Sequence, residues 1–359
     1  MEEEFNKDNK IRIKVIGVGG GGNNAVTRMI ADNVKNVEYY LVNTETGILK
    51  RANTRNIVQI GKQTTRGLGA GSDPVVGENS AIESKEELRA IVKGADIIFL
   101  TGGIGGGTGT GALPIVAEIA REENILTIAI VTKPFTFEGK RRMIKAEGGI
   151  DRIKNTVDAL IIISNDKLLK TVSDKTTLNS AFAMVDDILK QGIQGVTSLI
   201  TTVGEVNVDF ADVKAILEYK GQAYMGIGTA SGDDKVIQAT KLAIENPLTD
   251  TKIDGARGVI FNVTGGDTLA LNEINDAIRL VTDKIENDAN IIFGTVIDKD
   301  LEDKVKVTVI ATGIRNPDEE DEEVTDYNLF NKLNPTTLPT PEQEQEQQQQ
   351  QQRRFRFLN

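Results

Sequence analysis

The sequence predicts an α/β protein. It reads as a doubly wound, mostly parallel sheet, then a long central helix, then a second, smaller α+β domain with a mixed sheet. Three observations carry that expectation. In the first half, short apolar runs rich in β-formers alternate with helical patterns, as a parallel sheet covered on both faces requires. The stretch TTLNSAFAMVDDILKQGIQGVTSLITT (176–202) reads as one long helix. After it the alternation restarts with smaller elements and runs to about residue 315.

The elements follow in order. Residues 1–10, MEEEFNKDNK, are charged, lack the apolar core of a secretory leader, and read as a flexible N-terminus. The first strand is IRIKVIGV (11–18). The glycines after it satisfy G-x-G-x-x-G through Gly17, Gly19 and Gly22, and NNAVTRMIA opens a helix. VEYYLVN (37–43) is the second strand, and it delivers Glu45 to the place where a dinucleotide-binding domain carries its ribose-reading acid. ADIIFLTGG (95–103), ILTIAIVTKPF (125–135) and VDALIIISND (157–166) complete five nearly all-apolar strands, a first domain over 11–175. The central helix takes 176–203. In the second unit, 204–315, ADVKAILEYK, DDKVIQATKLAIEN and NEINDAIRLVTDKI read as helices. AYMGIGTAS, ARGVIFNVTGG, NIIFGTVID and KVKVTVIATGI read as strands of a mixed sheet with helices on one side. Beyond Arg315 the chain turns acidic and then Gln-rich, with too little apolar content to offset ordering, so 316–352 reads as a disordered linker. RRFRFLN (353–359) reads either as a peptide ligand for another protein or as an unselected tail end.

Composition narrows the chemistry. The 359 residues suffice for about two domains. There is no Cys, which excludes disulfides, thiolate nucleophiles and Cys-bound metal, and fits a cytoplasmic protein. There is no His, which excludes Ser-His-Asp catalysis and His-bound zinc. Chemistry is left to carboxylates, Lys, Arg, hydroxyls, backbone amides or a borrowed cation. A net charge of −11 disfavours nucleic acid as a partner. No run is long and apolar enough to span a membrane.

A second glycine loop decides what the first is for. LTGGIGGGTGTGALPIVAEIA (100–120) holds a strand, a loop and a helix, and GGGTGTG (105–111) is far more specific than one G-x-G-x-x-G. Such a loop can turn successive N–H groups into one concavity, with a helix N-terminus behind it, and bind oxyanions. Thr108 and Thr110 add hydroxyls. A dinucleotide site needs one such loop. Two suggest a longer phosphate chain held from both sides, and a triphosphate fits. Residues 102–113 hold no Lys, so this is not a P-loop of the GxxxxGK[ST] kind. Backbone amides would hold the phosphates, with Mg²⁺ carried on them and largely hydrated.

GGGTGTG, together with VIGVGGGGNNAV, VTKPFTFEGKRRM (131–143), NDKLLK (165–170) and NVDFADV (207–213), resembles the bacterial cell-division GTPase family FtsZ, a relative of tubulin. The resemblance covers about 11–315. It implies a tubulin-like fold, a first domain that binds GTP and GDP with Mg²⁺, and phosphate contacts at Gly20, Gly21, Gly22, Asn23, Gly71, Gly105, Gly106, Gly107, Thr108 and Gly109.

Guanine presents N1–H and an exocyclic NH₂, and one carboxylate accepts from both. Phe182 and Asp186 stand at i, i+4 on the long helix, so one can stack on the purine while the other reads it. Asp187 lies about 100° further round and is the second choice. Core packing is the plain alternative for Phe182; the resemblance favours the base. It also implies guanine contacts at Asn24 and Asn165. Glu138 and Arg142, again i, i+4, could be a surface ion pair of little worth; the resemblance puts the pair beside ribose and phosphates. Relatives often read NTD where this chain reads NTE (43–45), which leaves the role of Glu45 open.

For catalysis, Asp209 and Asp212 in NVDFADV stand at i, i+3 on the first turn of a helix. An Asp N-cap with an acid at N3 is a common helix start. The resemblance implies more: Asn207, Asp209 and Asp212 act on the nucleotide of the neighbouring subunit, orienting water for in-line attack. The active site is then completed by head-to-tail contacts that build a homopolymer. It further implies a cytoplasmic protein at the mid-cell division site, with cell-division proteins and a membrane tether as partners of the C-terminal peptide. RRFRFLN keeps Phe355, Phe357 and Leu358 but lacks the family's acidic, Pro-containing lead. The competing readings are an NAD-dependent oxidoreductase, resting on the first loop and Glu45, and a non-catalytic nucleotide-binding scaffold.

Overall fold

The first strand, β1 (Ile13–Val18), is buried along its whole length, and an all-buried strand needs cover on both faces. In this computed structural model, which describes residues 11–314 apart from 33, 35, 53, 170–175, 202–207, 246–248 and 267–268, helices supply it. β1 runs into α1 (Gly19–Ala31), β2 (Glu38–Asn43), the single turn α2 (Thr46–Leu49) and β3 (Ile57–Gln59). Then come α3 (Pro74–Glu83), α4 (Lys85–Val92), β4 (Ile97–Gly103), α5 (Thr108–Glu122), β5 (Leu126–Lys133), α6 (Lys140–Lys154), β6 (Ala159–Ser164) and α7 (Asn165–Leu169). The strands lie in the order β3-β2-β1-β4-β5-β6, and every pairing is parallel. Five strands are predicted from sequence; the sixth, β3, is three residues at the sheet edge, too short to show a period.

Alternate residues of these strands feed two cores. Ile13, Val15, Phe99, Ile128 and Ile161 pack on one face with Ala25, Val26 and Met29 of α1. Ile16, Val18, Ile98, Leu100 and Ile162 pack on the other with α3 to α6. Lys14 is the one charge inside β1. Its Nζ donates to the carbonyls of Ile91 (2.8 Å) and Lys93 (3.0 Å), which satisfies carbonyls left open at the end of α4. Burial holds its ammonium pKa below the usual lysine value.

The long helix α8 (Leu178–Thr201) starts two residues later than predicted. It is followed by α9 (Phe210–Leu217), β7 (Tyr224–Ser231), α10 (Lys235–Ile244), β8 (Gly258–Gly265), α11 (Leu271–Thr282), β9 (Asn290–Ile297) and β10 (Lys304–Thr312). The second sheet has the order β7-β10-β8-β9. β10 is antiparallel to both its neighbours while β8 and β9 are parallel, so the sheet is mixed. One face packs on α10 and α11 through Phe261, Val307 and Val309. The other is not left open: Met225, Ile260 and Ile310 join Leu189, Ile193 and Val196 of α8 in the first core. Helices therefore cover both faces, the second being covered by the central helix. The domain boundaries predicted at 175/176 and 203/204, like 1–10, 316–352 and 353–359, lie outside the described residues.

Candidate functional site

β1 and β4 are neighbours, yet the helices that follow them leave to opposite faces: α1 packs in one core and α5 in the other. That divergence makes a crevice at the C-terminal ends of the two strands, the usual ligand position in an open α/β sheet. A cavity of about 690 Å³ lies there, within the range of small-molecule sites.

Both glycine loops reach it. Gly20, Gly21 and Asn24 come from the first turns of α1; Gly106, Gly107, Thr108 and Gly109 come from the start of α5. Neither helix has a side-chain N-cap hydrogen bond, and neither has an acidic residue in its first turn. Two sets of helix N-terminal N–H groups, with the positive ends of their dipoles, therefore face one space. A Cβ on Gly20 or Gly106 would meet no atom within 4 Å, so open room adjoins the loops.

Three predicted phosphate contacts do not line the cavity, and each has another task. A Cβ on Gly22 would lie 2.3 Å from the carbonyl oxygen of Thr101, so this glycine lets α1 approach β4. Asn23 is buried; its Nδ2 donates to Gly17 O (2.8 Å) and its Oδ1 accepts from Asn43 Nδ2 (2.6 Å). Gly105 turns the chain at φ +107°, and its N–H is spent on Thr110 Oγ1 (2.8 Å). Thr110, which accepts that bond, is buried and does not line the cavity. Thr108 stays at the cavity and shares a 2.7 Å hydrogen bond with Thr44.

The far wall comes from α8. Phe182 and Asp186 both line the cavity, as does Asn165 at the start of α7; Asp187 does not. Asp187 instead pairs with Lys190 at 2.6 Å. Phe182 is 40% exposed and meets Phe135 edge-on, ring centroids 5.4 Å apart. Asp186 is only 7% exposed. Burial pushes its carboxyl up to about 6, against the opposing pull of the Arg28 guanidinium, whose Nε lies 2.8 Å from Oδ2. Asn165 is buried, and its Oδ1 has no hydrogen-bond partner among the described residues. A buried acceptor without a donor is costly unless a ligand supplies one. This wall therefore offers an aromatic face, a carboxylate and an amide to a flat, donor-bearing group.

Glu138 and Arg142 line the cavity and form an ion pair at 2.7 Å. Glu138 Oε1 also accepts the Phe135 N–H at 2.9 Å, so the carboxylate both shapes its turn and holds the arginine. Glu45 is exposed at the cavity, and its N–H donates to Asn43 Oδ1 at 3.1 Å. The loop Leu68–Ser72 forms a further wall of which the sequence reading named only Gly71. Its signal was present: GLGAGSDP holds three glycines with positive φ, followed by Asp73 capping α3 through the Val75 N–H (2.9 Å). Thr132, Pro134, Val185 and Leu189 also line the cavity without having been predicted; Thr132 and Pro134 fall inside VTKPFTFEGKRRM, whereas Val185 and Leu189 are helix-face residues with no motif to mark them.

Asp209 and Asp212 stand elsewhere. Asp209 is the N-cap of α9, its Oδ1 accepting the Asp212 N–H at 2.8 Å. Both are exposed, and neither lines the cavity of its own chain. Asn207 lies outside the described residues. Among the described residues no group of three or more His, Cys, Asp or Glu side chains is placed to hold a metal ion, and no helix is long and apolar enough to cross a membrane.

Residues 12–173 match the GTPase domain of the tubulin/FtsZ family, and residues 221–315 match the C-terminal domain of the FtsZ family. Among solved structures the chain is similar to an FtsZ dimer from M. jannaschii described as empty. The identity is 38% and the TM-score 0.82, over 90% of this chain and 98% of that one. A mutant FtsZ from M. jannaschii gives 40% identity and a TM-score of 0.81, over 87% and 94%. CetZ2 from Haloferax volcanii, solved as a GTPγS-bound protofilament, is 20% identical with a TM-score of 0.74, over 90% and 98%, a likeness of fold.

Proposed function

The chain belongs to the tubulin/FtsZ family of GTPases, and from that premise we propose that it binds GTP in the cavity between its two glycine loops and hydrolyses it on assembly. The assembly is a head-to-tail filament, and the filaments form the cell-division ring at the septum. The observation that carries this reading is one cavity with two uncapped helix N-termini at one end and a buried carboxylate at the other.

The triphosphate lies across the starts of α1 and α5, held by backbone N–H groups of Gly20, Gly21 and Gly106 to Gly109 and by the dipoles behind them. Arg142, steadied by Glu138, serves the ribose and phosphates. Phe182 stacks on the purine; Asp186 accepts from guanine N1–H and NH₂; Asn24 and Asn165 complete the base contacts. Mg²⁺ supplies charge neutralisation at the phosphates, which together with water hold it. Hydrolysis needs a water in line with the γ-phosphorus and a group to orient it. Asp209 and Asp212 are exposed and away from their own pocket, which suits action on a neighbour's nucleotide, with Asn207 beside them. A contact of that kind is heterologous and does not close, so it propagates into filaments. Hydrolysis at the joint weakens it and makes the filament dynamic. We place the protein in the cytoplasm at mid-cell, on the inner face of the membrane, with residues 353–359 as the segment that meets cell-division partners or a tether.

Denaturing the purified protein and identifying what it releases tests the ligand directly. Guanine nucleotide is expected. Release of NAD or an adenine nucleotide would contradict the assignment.

A further inference from the structure

We propose that Arg28 sets the base selectivity of this pocket, as a positioning residue that keeps Asp186 a carboxylate facing the base. The inference rests on the guanine reading of Asp186.

Arg28 stands one turn along α1 from Asn24, so one helix face carries a cavity-lining residue and the partner of Asp186. Arg28 Nε lies 2.8 Å from Asp186 Oδ2; the arginine side chain is 49% exposed and the aspartate 10%. A carboxylate has about four lone-pair sites on its two oxygens. The guanidinium occupies one of them, from the side of α1, and leaves acceptor sites on both oxygens for a base.

The chemistry of the two protonation states is opposite. An ionised Asp186 is an acceptor pair, the complement of guanine N1–H and NH₂. A neutral Asp186 is one donor and one acceptor, the complement of adenine N1 and its 6-amino group. Burial in the cavity wall favours the neutral form, and a docked purine would exclude more water and favour it further. Arg28 is the group that opposes this. The other charges nearby are committed: Asp187 and Lys190 on the same helix pair with each other at 2.6 Å, Lys190 also holds Asp32 of the α1 end at 2.8 Å, and Glu138 and Arg142 across the cavity pair at 2.7 Å. Glu45 at the cavity rim is exposed and brings no positive charge.

Calorimetric titration of the nucleotide-stripped full chain with GDP and ADP, over a pH series, tests this. Wild type is expected to prefer GDP, with affinity level above about pH 6 and falling up to about tenfold per pH unit below it. Arg28→Gln keeps a polar stem without the charge. It should move that midpoint up by about one pH unit, weaken GDP binding about twofold at neutral pH, and let ADP bind better as the pH falls. Arg28→Lys should restore the wild-type midpoint. An Arg28 that merely ties α1 to α8 would lower the melting temperature of both variants alike and leave the pH midpoint and the GDP/ADP ratio where they were. That result overturns the inference while leaving the guanine reading intact. A wild type with no preference for GDP over ADP overturns both.

Discussion

Replacing Asp186 by Asn should make the nucleotide-free protein more stable while costing it guanine binding. The magnitude follows from the carboxyl. Burial pushes its pKa up to about 6 in the folded chain, against 3.8 for an ordinary aspartate. The folded pKa is the higher one, so the group's stabilising contribution belongs to its neutral form. That contribution is complete below about pH 4 and is lost as the pH rises through about 6. A difference of about two pH units corresponds to about 3 kcal/mol as a ceiling. Solvent reaches the half-exposed Arg28 beside it, and screening reduces the figure to about 1–2 kcal/mol. Asn fills nearly the same space, cannot ionise, and frees Arg28 to water. Urea unfolding of nucleotide-stripped wild type and Asp186→Asn should show the variant more stable by about 1–2 kcal/mol at pH 7.5, with the gap narrowing between about pH 6 and pH 4. A variant less stable than wild type at pH 7.5 would refute the reasoning: the ionised Asp186–Arg28 pair would then hold the fold together, rather than being a carboxylate kept at a cost for its ligand.

Two further predictions separate binding and catalysis from folding. Gly107→Val should lose nucleotide binding and also destabilise the protein by about 1–3 kcal/mol, since a Cβ there would sit 2.8 Å from Ala70 Cβ and 3.0 Å from Asp73 N; Gly106→Ala, whose Cβ meets nothing within 4 Å, should weaken binding with stability nearly unchanged, as calorimetry and thermal melts will tell. Asp209→Ala should cost about 1 kcal/mol of stability through its lost N-cap, whereas Asp212→Ala should stay within about 0.5 kcal/mol of wild type; both should fail in phosphate release from GTP, and full activity in either would remove it from catalysis.

Much of the fold was legible because doubly buried strands are apolar end to end and the second glycine loop has few other uses. The site was legible at the level of loops and less so at single residues. Gly22 and Gly105 look the same in sequence as Gly20 and Gly106. Only packing tells a glycine that lets a helix approach a strand from one that borders an open cavity. Asn23 and Asn24 are likewise adjacent and alike, but α1 turns the first inward to Gly17 and Asn43 and the second toward the cavity. The choice between Asp186 and Asp187 rested on helical spacing, and it is Asp186 that lines the cavity with Phe182. What could not be read were features without local pattern: the three-residue strand β3, and Arg28, whose partner is 158 residues away along the chain (186 − 28).

In the proposed mechanism two copies of the chain make one active site. Phosphate release per molecule, measured while the protein is diluted through its assembly threshold, tests it most directly, with Asp212→Ala run beside wild type. Almost no hydrolysis is expected below the threshold, with a specific activity that rises with concentration above it. Asp212→Ala should still bind GTP and still assemble, but hydrolyse poorly and leave filaments that persist. A specific activity that stays constant on dilution, well below any assembly, would rule out a shared site: the chain would then hydrolyse GTP alone, and Asp209 and Asp212 would be the capped start of a helix and nothing more.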